Sequence, residues 1–260
     1  MRRGLLAIAA TAWIAASVPA AAEIPQIAQR QRAEKKSFTD EQIIDGFFKT
    51  AFGAEYHLAG RIDRIRKYEA PVRVFIDGAR FTKRTAQLGK IIDDIGKRVQ
   101  HLDIGQVSTR EAANVTVTLV RDRNLNRTIA KLYGAEKARE IQKSLDPQCL
   151  SGFSKDDSFR IKRSEVLLTV DNGDFVFHDC AYEELLQSLG PINDTDTVPW
   201  TMFNDDVSLG FFGVYDQYLL NILYDPRIKA GMTVQEARDV LPAVLKDVRE
   251  WVAKTNGLPQ

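Results

Sequence analysis

The chain has few of the residues that most metal and redox sites use, and it has no excess of either charge. Its 260 residues include two cysteines and three histidines, and 36 Lys and Arg residues balance 35 Asp and Glu residues. A net charge near zero gives no electrostatic reason to expect binding to nucleic acid or to an anionic membrane. The sequence also lacks a Gly-x-Ser-x-Gly elbow, a phosphate-binding glycine loop and a Gly-x-Gly-x-x-Gly stretch, which excludes the enzyme classes that these motifs mark.

Long apolar runs are absent except near the N-terminus, where the pattern is that of an export signal. Two arginines follow Met1, residues 5–18 are apolar apart from two hydroxyl side chains, and a Pro-Ala-Ala-Ala stretch comes next. This order predicts a signal peptide over residues 1–22 that is cleaved before Glu23. The apolar run is shorter than the roughly 20 residues of a transmembrane helix, so an uncleaved anchor is the less favoured alternative. We expect a periplasmic or secreted protein with no transmembrane anchor after cleavage.

The two cysteines, Cys149 and Cys180, are an even pair in a chain that is expected to be exported. In an oxidising compartment such a pair predicts a disulfide bond. Two separate buried thiols are the alternative. The cysteines do not form a Cys-x-x-Cys motif, so redox catalysis is not indicated.

Hydrophobic periodicity predicts one α/β domain over residues 38–260, preceded by a polar, flexible lead-in over residues 23–37. Strands alternate with helices, which favours a partly parallel sheet. Pro242 lies inside the last helix and is expected to kink or split it. Helices are predicted from residue 39 and over 88–102, 126–145, 174–189, 214–223 and 233–253, and strands over 71–76, 115–120, 149–153 and 161–170.

A stretch that begins at Glu183 resembles the zinc signature of metzincin peptidases, which is His-Glu-x-x-His-x-x-Gly-x-x-His followed by a turn with Met. Glu183, Gln187 and Asn193 stand at the three histidine positions. Glu184 stands at the position of the catalytic glutamate, and Gly190 at that of the turning glycine. The resemblance implies a metzincin-like (zincin-like) α/β or α+β fold with a mostly parallel twisted sheet, an active-site-type helix and C-terminal helices. It implies no ordinary zinc peptidase, because the histidines are missing.

The resemblance continues downstream, where Met202 lies at the position of the Met-containing turn. The Glu-Glu-x-x-Gln stretch at 183–187, together with Phe-Asn-Asp at 203–205, is also similar to a narrower group. That group is a proteobacterial family of exported or lipid-anchored proteins with a domain of unknown function. Membership implies the periplasm of a Gram-negative bacterium and a fold, but no reaction.

The side chains at the three histidine positions favour a different metal chemistry from that of zinc. Glu183 and Gln187 are four residues apart and share one face of a helix, and Gly190 would let Asn193 approach them. Carboxylate and amide oxygens suit Ca²⁺, Mg²⁺ or Mn²⁺ better than Zn²⁺. Glu184 could accept a proton, but without a metal it has no electrophile beside it. We expect no cofactor, with a divalent metal as the alternative and a solvated helix face as a third interpretation.

Histidines do not replace the missing ligands. His178 lies five residues before Glu183, which places it about 140° around a continuous helix. His57 and His101 have no partner at ligand spacing. Each is expected at the surface or in a capping role.

The segment around Met202 is the candidate binding region, because it would border the metal position. Aromatic side chains there predict a groove for a peptide or another ligand, with burial in the core as the alternative. An acidic cluster over residues 194–206 is a candidate for Ca²⁺, but it lacks the spacing of an EF-hand loop, so a solvated loop is favoured. The candidate binding residues are Trp200, Met202, Phe203, Asn204 and Asp205.

These observations support three hypotheses about function. The first is a non-catalytic, envelope-associated module that binds an unknown peptide or envelope component in the former catalytic cleft. The second is a metal-dependent hydrolase with Glu184 as the general base. The third is an interaction protein that uses the amphipathic helix at 233–253.

Overall fold

The computed structural model describes residues 24–53, 63–142, 148–191 and 193–259. The predicted signal peptide, His57 and the end of the helix predicted over 126–145 lie outside these residues. Helices are α1 (Pro25–Ala33), α2 (Asp40–Ala51), α3 (Thr82–Arg98), α4 (Leu125–Tyr133), α5 (Ala135–Ile141), α6 (Asp174–Gln187), α7 (Val214–Tyr224) and α8 (Val234–Asn256). Strands are β1 (Val72–Asp77), β2 (Ile104–Gln106), β3 (Val115–Val120), β4 (Cys149–Lys155) and β5 (Ile161–Thr169).

The five strands form one mixed sheet in the order β2-β1-β3-β5-β4. The first four strands run parallel, and β4 pairs antiparallel with β5 at the edge. Alternating β-branched residues explain the register, because Val72, Val74 and Ile76 place their side chains on one buried face. The α/β class and the mostly parallel sheet are therefore confirmed.

Helices cover the two faces of the sheet unequally. The larger core lies on the face that packs against α3, α6 and the C-terminal helices. A smaller cluster on the other face joins α4 and α5 to Val120, Leu150 and Leu167 of the sheet. The connection after β1 thus leaves toward one face, and the connection after β3 leaves toward the other.

The structure corrects one helix prediction and decides one of the two alternatives in another. The helix predicted over 126–145 is interrupted at Gly134, whose positive φ of 85° is a conformation that glycine adopts at little cost. The last helix, α8, is not split at Pro242. Pro242 is exposed, so water can hydrate the carbonyl of Arg238 that loses its helical hydrogen bond.

The lead-in predicted to be flexible contains helix α1, and this prediction is corrected. Pro25 occupies the first helical turn, where its missing N–H costs nothing. Arg30 Nε donates to the carbonyl of Ser208 at 2.6 Å, and the Glu34 carboxylate accepts from the backbone N–H of Val214 at 2.5 Å. Two charged side chains of this segment thus form hydrogen bonds with the folded domain.

The predicted Cys149–Cys180 disulfide is present, with Cα atoms 5.9 Å apart. It ties the edge strand β4 to α6. Among the helices that the structure describes, none is both long and apolar enough to cross a membrane.

Candidate functional site

Helix α6 carries the stretch that resembles the metzincin signature, and it packs against β4 and β5. The helix ends at Gln187, and the chain reverses at Gly190, which has a φ of 141°. A Cβ atom at Gly190 would lie 2.3 Å from the backbone oxygen of Arg66. Only glycine fits this close crossing, so the role of Gly190 as the turning residue has a direct steric cause.

Two of the three residues that stand at the histidine positions, Gln187 and Asn193, have hydrogen-bond partners of their own in the structure. Asn193 faces α2, where its Nδ2 donates to the carbonyl of Lys49 at 2.7 Å and its backbone N–H donates to Thr50 at 3.3 Å. Gln187 is buried and donates through Nε2 to Asp194 Oδ1 at 2.7 Å. Asn193 therefore anchors the loop to α2, and Gln187 orients its neighbour Asp194.

A different set of oxygens converges beside Glu183. One carboxylate oxygen from each of Glu183, Asp194 and Asp205 lies within 4.8 Å of the others. We call these three residues the carboxylate cluster. Glu183 and Asp194 are half-buried, whereas Asp205 is exposed, so the cluster opens to solvent on one side. Three carboxylates are a ligand set for a hard cation such as Ca²⁺, Mn²⁺ or Mg²⁺ and a poor one for Zn²⁺.

The electrostatics of the carboxylate cluster favour the uptake of positive charge. Burial, followed by the charges of Glu184 and Asp194, raises the pKa of the Glu183 carboxyl well above its usual range. Asp179 and Asp205 raise it further. A proton or a cation would relieve the repulsion, because like charges at short range cannot all stay ionised without cost.

Glu184, the candidate general base, is buried more deeply than Glu183, with 6% of its surface exposed. Burial raises the pKa of the nearby Tyr133 phenol, and the charges of Glu184 and Glu165 raise it further. The charge of Glu184 thus acts on this phenol as well as on Glu183. The Tyr133 hydroxyl lies close to Gly152 of β4, where an added Cβ atom would be 3.2 Å from it.

Most of the candidate binding residues around Met202 belong to the core. Met202, Phe203 and Asn204 are buried, and Asn204 braces its own loop by donating to the carbonyl of Val198 at 3.0 Å. Met202 and Phe203 therefore fit the alternative interpretation, in which these side chains are buried in the core. Asp205, the next residue, is exposed and joins the carboxylate cluster.

Trp200 is half-buried between the N-terminal segment and α7. Its ring centre is 5.6 Å from that of Phe38 and 5.7 Å from that of Tyr215. The Lys35 ammonium lies 3.9 Å from the same ring, at the distance of a cation–π contact. Trp200 therefore fastens the lead-in to the domain.

Asp216 is a buried acid that is not among the predicted site residues. It is fully buried in the first turn of α7, where it accepts from the Thr201 hydroxyl at 2.5 Å and from the backbone N–H of Met202 at 3.2 Å. Burial raises the pKa of Asp216 to about 7. Its signal in the sequence is the only charged residue of a mostly apolar helix, a pattern that requires buried hydrogen-bond donors.

Comparison with known families places the chain in a family without an assigned activity. A model described as "Protein of unknown function (DUF2927)" matches residues 40–243, which is more than half of the chain and includes the carboxylate cluster. No curated protein and no solved structure gives a match. The expected relationship to a domain of unknown function is confirmed, and the chain belongs to the DUF2927 family of proteins of unknown function.

Proposed function

We propose that this protein is an exported, metzincin-like binding module that holds a hard divalent cation in its cleft and is not a zinc peptidase. The observation that carries the proposal is the convergence of Glu183, Asp194 and Asp205 within 4.8 Å. The three oxygens come from α6 and from two points of the connection between α6 and α7 that are eleven residues apart, so the site depends on the folded chain. A cation there would offset the mutual repulsion of the carboxylates.

The position of the carboxylate cluster supports the metzincin-like assignment. Glu183 occupies the first ligand position of the signature, and the chain turns at Gly190 as the signature requires. The Met202 side chain is buried in the following loop. The cation would therefore occupy the cleft in which a metzincin holds zinc, but with oxygen ligands from two residues beyond the signature positions.

The edge strand β4 supports a peptide as the binding partner. Thr169 donates its N–H to the carbonyl of Gln148, and alternation along an antiparallel pair then points the backbone groups of Ser151 and Phe153 away from β5. Within the described residues, no strand pairs with this edge. An extended peptide could add to β4 as a further strand. The Ser151 hydroxyl is 3.5 Å from Gln187 Oε1, which places that edge beside the carboxylate cluster.

Export is supported by the N-terminal pattern and by the Cys149–Cys180 bridge. Disulfides of this kind persist in the periplasm and outside the cell, whereas cytosolic thiols are kept reduced. Measuring the mass of the protein recovered from the periplasm would test the proposal. A mature N-terminus near Glu23 is expected, and recovery of the intact chain from the cytoplasm alone would contradict export.

Cation binding is tested by titrating the metal-free protein with Ca²⁺, Mn²⁺ and Zn²⁺ in a calorimeter. We expect Ca²⁺ or Mn²⁺ to bind with one ion per chain, and both Glu183→Gln and Asp205→Asn to weaken binding at least tenfold. Asp206→Asn is the matched control, because Asp206 is an exposed neighbour of Asp205 that lies outside the carboxylate cluster. Equal affinity in all three variants, or binding of Zn²⁺ alone, would contradict the proposed site.

A metal-dependent hydrolase is the second candidate function, and the position of Glu184 favours it. The charge of Glu184 acts on Glu183, so a bound cation and a carboxylate base would lie in one site. Hydrolysis of a mixed peptide library in the presence of the bound cation tests this candidate. Cleavage that is lost in Glu184→Gln while the cation still binds would establish a hydrolase. Absence of cleavage would favour the non-catalytic binding module.

A further inference from the structure

A crevice opens at the carboxyl ends of β1 and β3, where the chain leaves the sheet in two directions. After β1 the chain enters α3 on one face, and after β3 it enters α4 on the other face. Strand β2 lies to one side of β1, and β3 and β5 lie to the other. Such a point, where the strand order reverses, is where open α/β sheets leave room for ligands.

Three arginines line this crevice, which has a volume of about 420 Å³. Arg80 and Phe81 follow β1, and Arg121, Arg123 and Asn124 follow β3. We call these five residues the arginine crevice. None of them is acidic, so the crevice is a concentrated positive site on a molecule whose total charge is close to zero.

The arginines of the crevice differ from two arginines nearby in the chain. Arg73 and Arg110 each form an ion pair with an aspartate. For Arg80, Arg121 and Arg123 the described parts of the chain provide no ion pair and no side-chain hydrogen bond. Arg80 only rests on the ring of Phe81, with its guanidinium carbon 4.8 Å from the ring centre. Three guanidinium groups remain available to an outside anion.

The start of helix α3 adds to the positive potential of the crevice. Helix α3 starts directly after Phe81, its N-cap makes no side-chain hydrogen bond, and its first turn holds no acid. The free N–H groups of that turn carry partial positive charge. Neither Asp122, between the two arginines in sequence, nor Asp171, whose carboxylate accepts from the Asp122 N–H at 2.8 Å, lines the crevice.

We propose that the arginine crevice binds a phosphate group, carried by a free phosphate compound or by a lipid headgroup. The guanidinium fork matches the geometry of phosphate oxygens, and three forks around one crevice suit a group with several acceptor oxygens. The site is distinct from the carboxylate cluster. Helix α6, 14 residues and about 20 Å long, starts at the sheet edge of the crevice and reaches the cluster in its later turns.

The test compares the double variant Arg121→Gln/Arg123→Gln with a control that loses the same charge elsewhere. The control is Arg32→Gln/Lys246→Gln, because both residues are exposed and lie outside the crevice. Calorimetry with inorganic phosphate at low ionic strength is expected to show binding by the full chain. The crevice variant should lose at least tenfold in affinity, and the control should keep its affinity within twofold.

A second arm identifies the source of the phosphate. The protein is sedimented with phosphatidylcholine vesicles that contain or lack phosphatidylglycerol. Arginine-dependent binding to the anionic vesicles that exceeds binding of inorganic phosphate assigns a lipid headgroup, and the reverse order assigns a free phosphate compound. The proposal is overturned if neither probe binds, or if the crevice variant and the control lose affinity equally. Both results are independent of cation binding at the carboxylate cluster.

Discussion

Asp216 and Glu183 lie near different parts of the loop of residues 195–213. Hydrogen-bond donors surround the carboxylate of Asp216, whereas other carboxylates surround that of Glu183. Asp216 is fully buried, yet it accepts from the Thr201 hydroxyl and the Met202 N–H. Glu183 is half-buried, and the groups that act on its pKa are other carboxylates. A buried acid that accepts hydrogen bonds stabilises the folded chain. An acid that lies near other acids destabilises it through charge repulsion, which a bound cation can relieve.

The largest expected effect comes from removing the acid that has donors. Asp216→Ala leaves the Thr201 hydroxyl and the Met202 N–H buried without an acceptor, which should lower the free energy of unfolding by roughly 4 kcal/mol. Urea denaturation followed by circular dichroism measures this loss. Asp206→Asn, on the exposed side of the same loop, should change it by less than about 0.5 kcal/mol. A loss below about 1 kcal/mol in Asp216→Ala would remove the contrast between the two acids.

Removing the Cys149–Cys180 bridge tests whether the disulfide helps to position Glu183, and it leaves the charge of Glu183 unchanged. The double change Cys149→Ser/Cys180→Ser should cost roughly 3 kcal/mol, because the unfolded chain gains the freedom of an open loop. Glu183 stays on α6 three residues beyond Cys180, so the folded protein should keep its cation affinity. Denaturation with and without reductant, with a calorimetric titration below the midpoint, checks both parts. Loss of cation binding in the folded variant would show that the bridge itself shapes the carboxylate cluster.

The pH dependence of stability tests the burial of Asp216. The folded protein keeps the proton of Asp216 up to a pKa of about 7, whereas the unfolded chain releases it near 4. Unfolding therefore releases a proton between these values, and stability should fall with a slope of up to about 1.4 kcal/mol per pH unit as the pH rises. Glu34 faces Asp216, and burial raises its pKa as well.

Comparison of the wild type with Asp216→Asn isolates the contribution of Asp216, because the amide does not titrate. The slope between pH 5 and pH 7 should be shallower in Asp216→Asn, measured as the urea midpoint at each pH. Identical slopes in the two proteins would mean that Asp216 is ionised throughout this range.

The smallest expected effect on stability comes from Glu183→Gln in metal-free protein. Because this change removes repulsion and breaks no hydrogen bond within the described chain, the free energy of unfolding should stay within about 1 kcal/mol of the wild type or rise. Thermal denaturation in a chelator at pH 8 measures it. A clear loss of stability would place Glu183 with Asp216 as an acid that holds the fold, and the proposed cation site would lose its main ligand.

Local sequence patterns predicted much of the fold, because they report which residues must be buried. The strands β1, β3 and β5 and the helix α6 lie where period-2 and period-3.6 patterns placed them. The charge-rich segment before residue 38 misled the same reasoning. Arg30 and Glu34 bond to distant backbone groups at Ser208 and Val214, and a composition argument contains no information about such partners.

The candidate site was predicted in part. Spacing on one helix drew attention to Glu183 and Gln187, since residues four apart share a face, and Glu183 is a member of the carboxylate cluster. Beyond Gly190 the chain no longer follows helical geometry. There, hydrogen bonds to α2 turn Asn193 away and leave Asp194 beside Glu183. The residue spacing of a motif does not predict which of two adjacent residues has its side chain directed toward the site after such a turn.

What the sequence alone determined about this protein is the order of its elements, its disulfide pair and the position of Glu183, because these depend on local periodicity and residue chemistry. Only the tertiary structure decided which charges meet. The carboxylate cluster joins α6 to two distant points of the connection that follows it. The arginine crevice exists because connections from neighbouring strands leave toward opposite faces. Convergence of this kind arises from chain reversals and packing between distant segments, and neither is recorded in the spacing of residues along the chain.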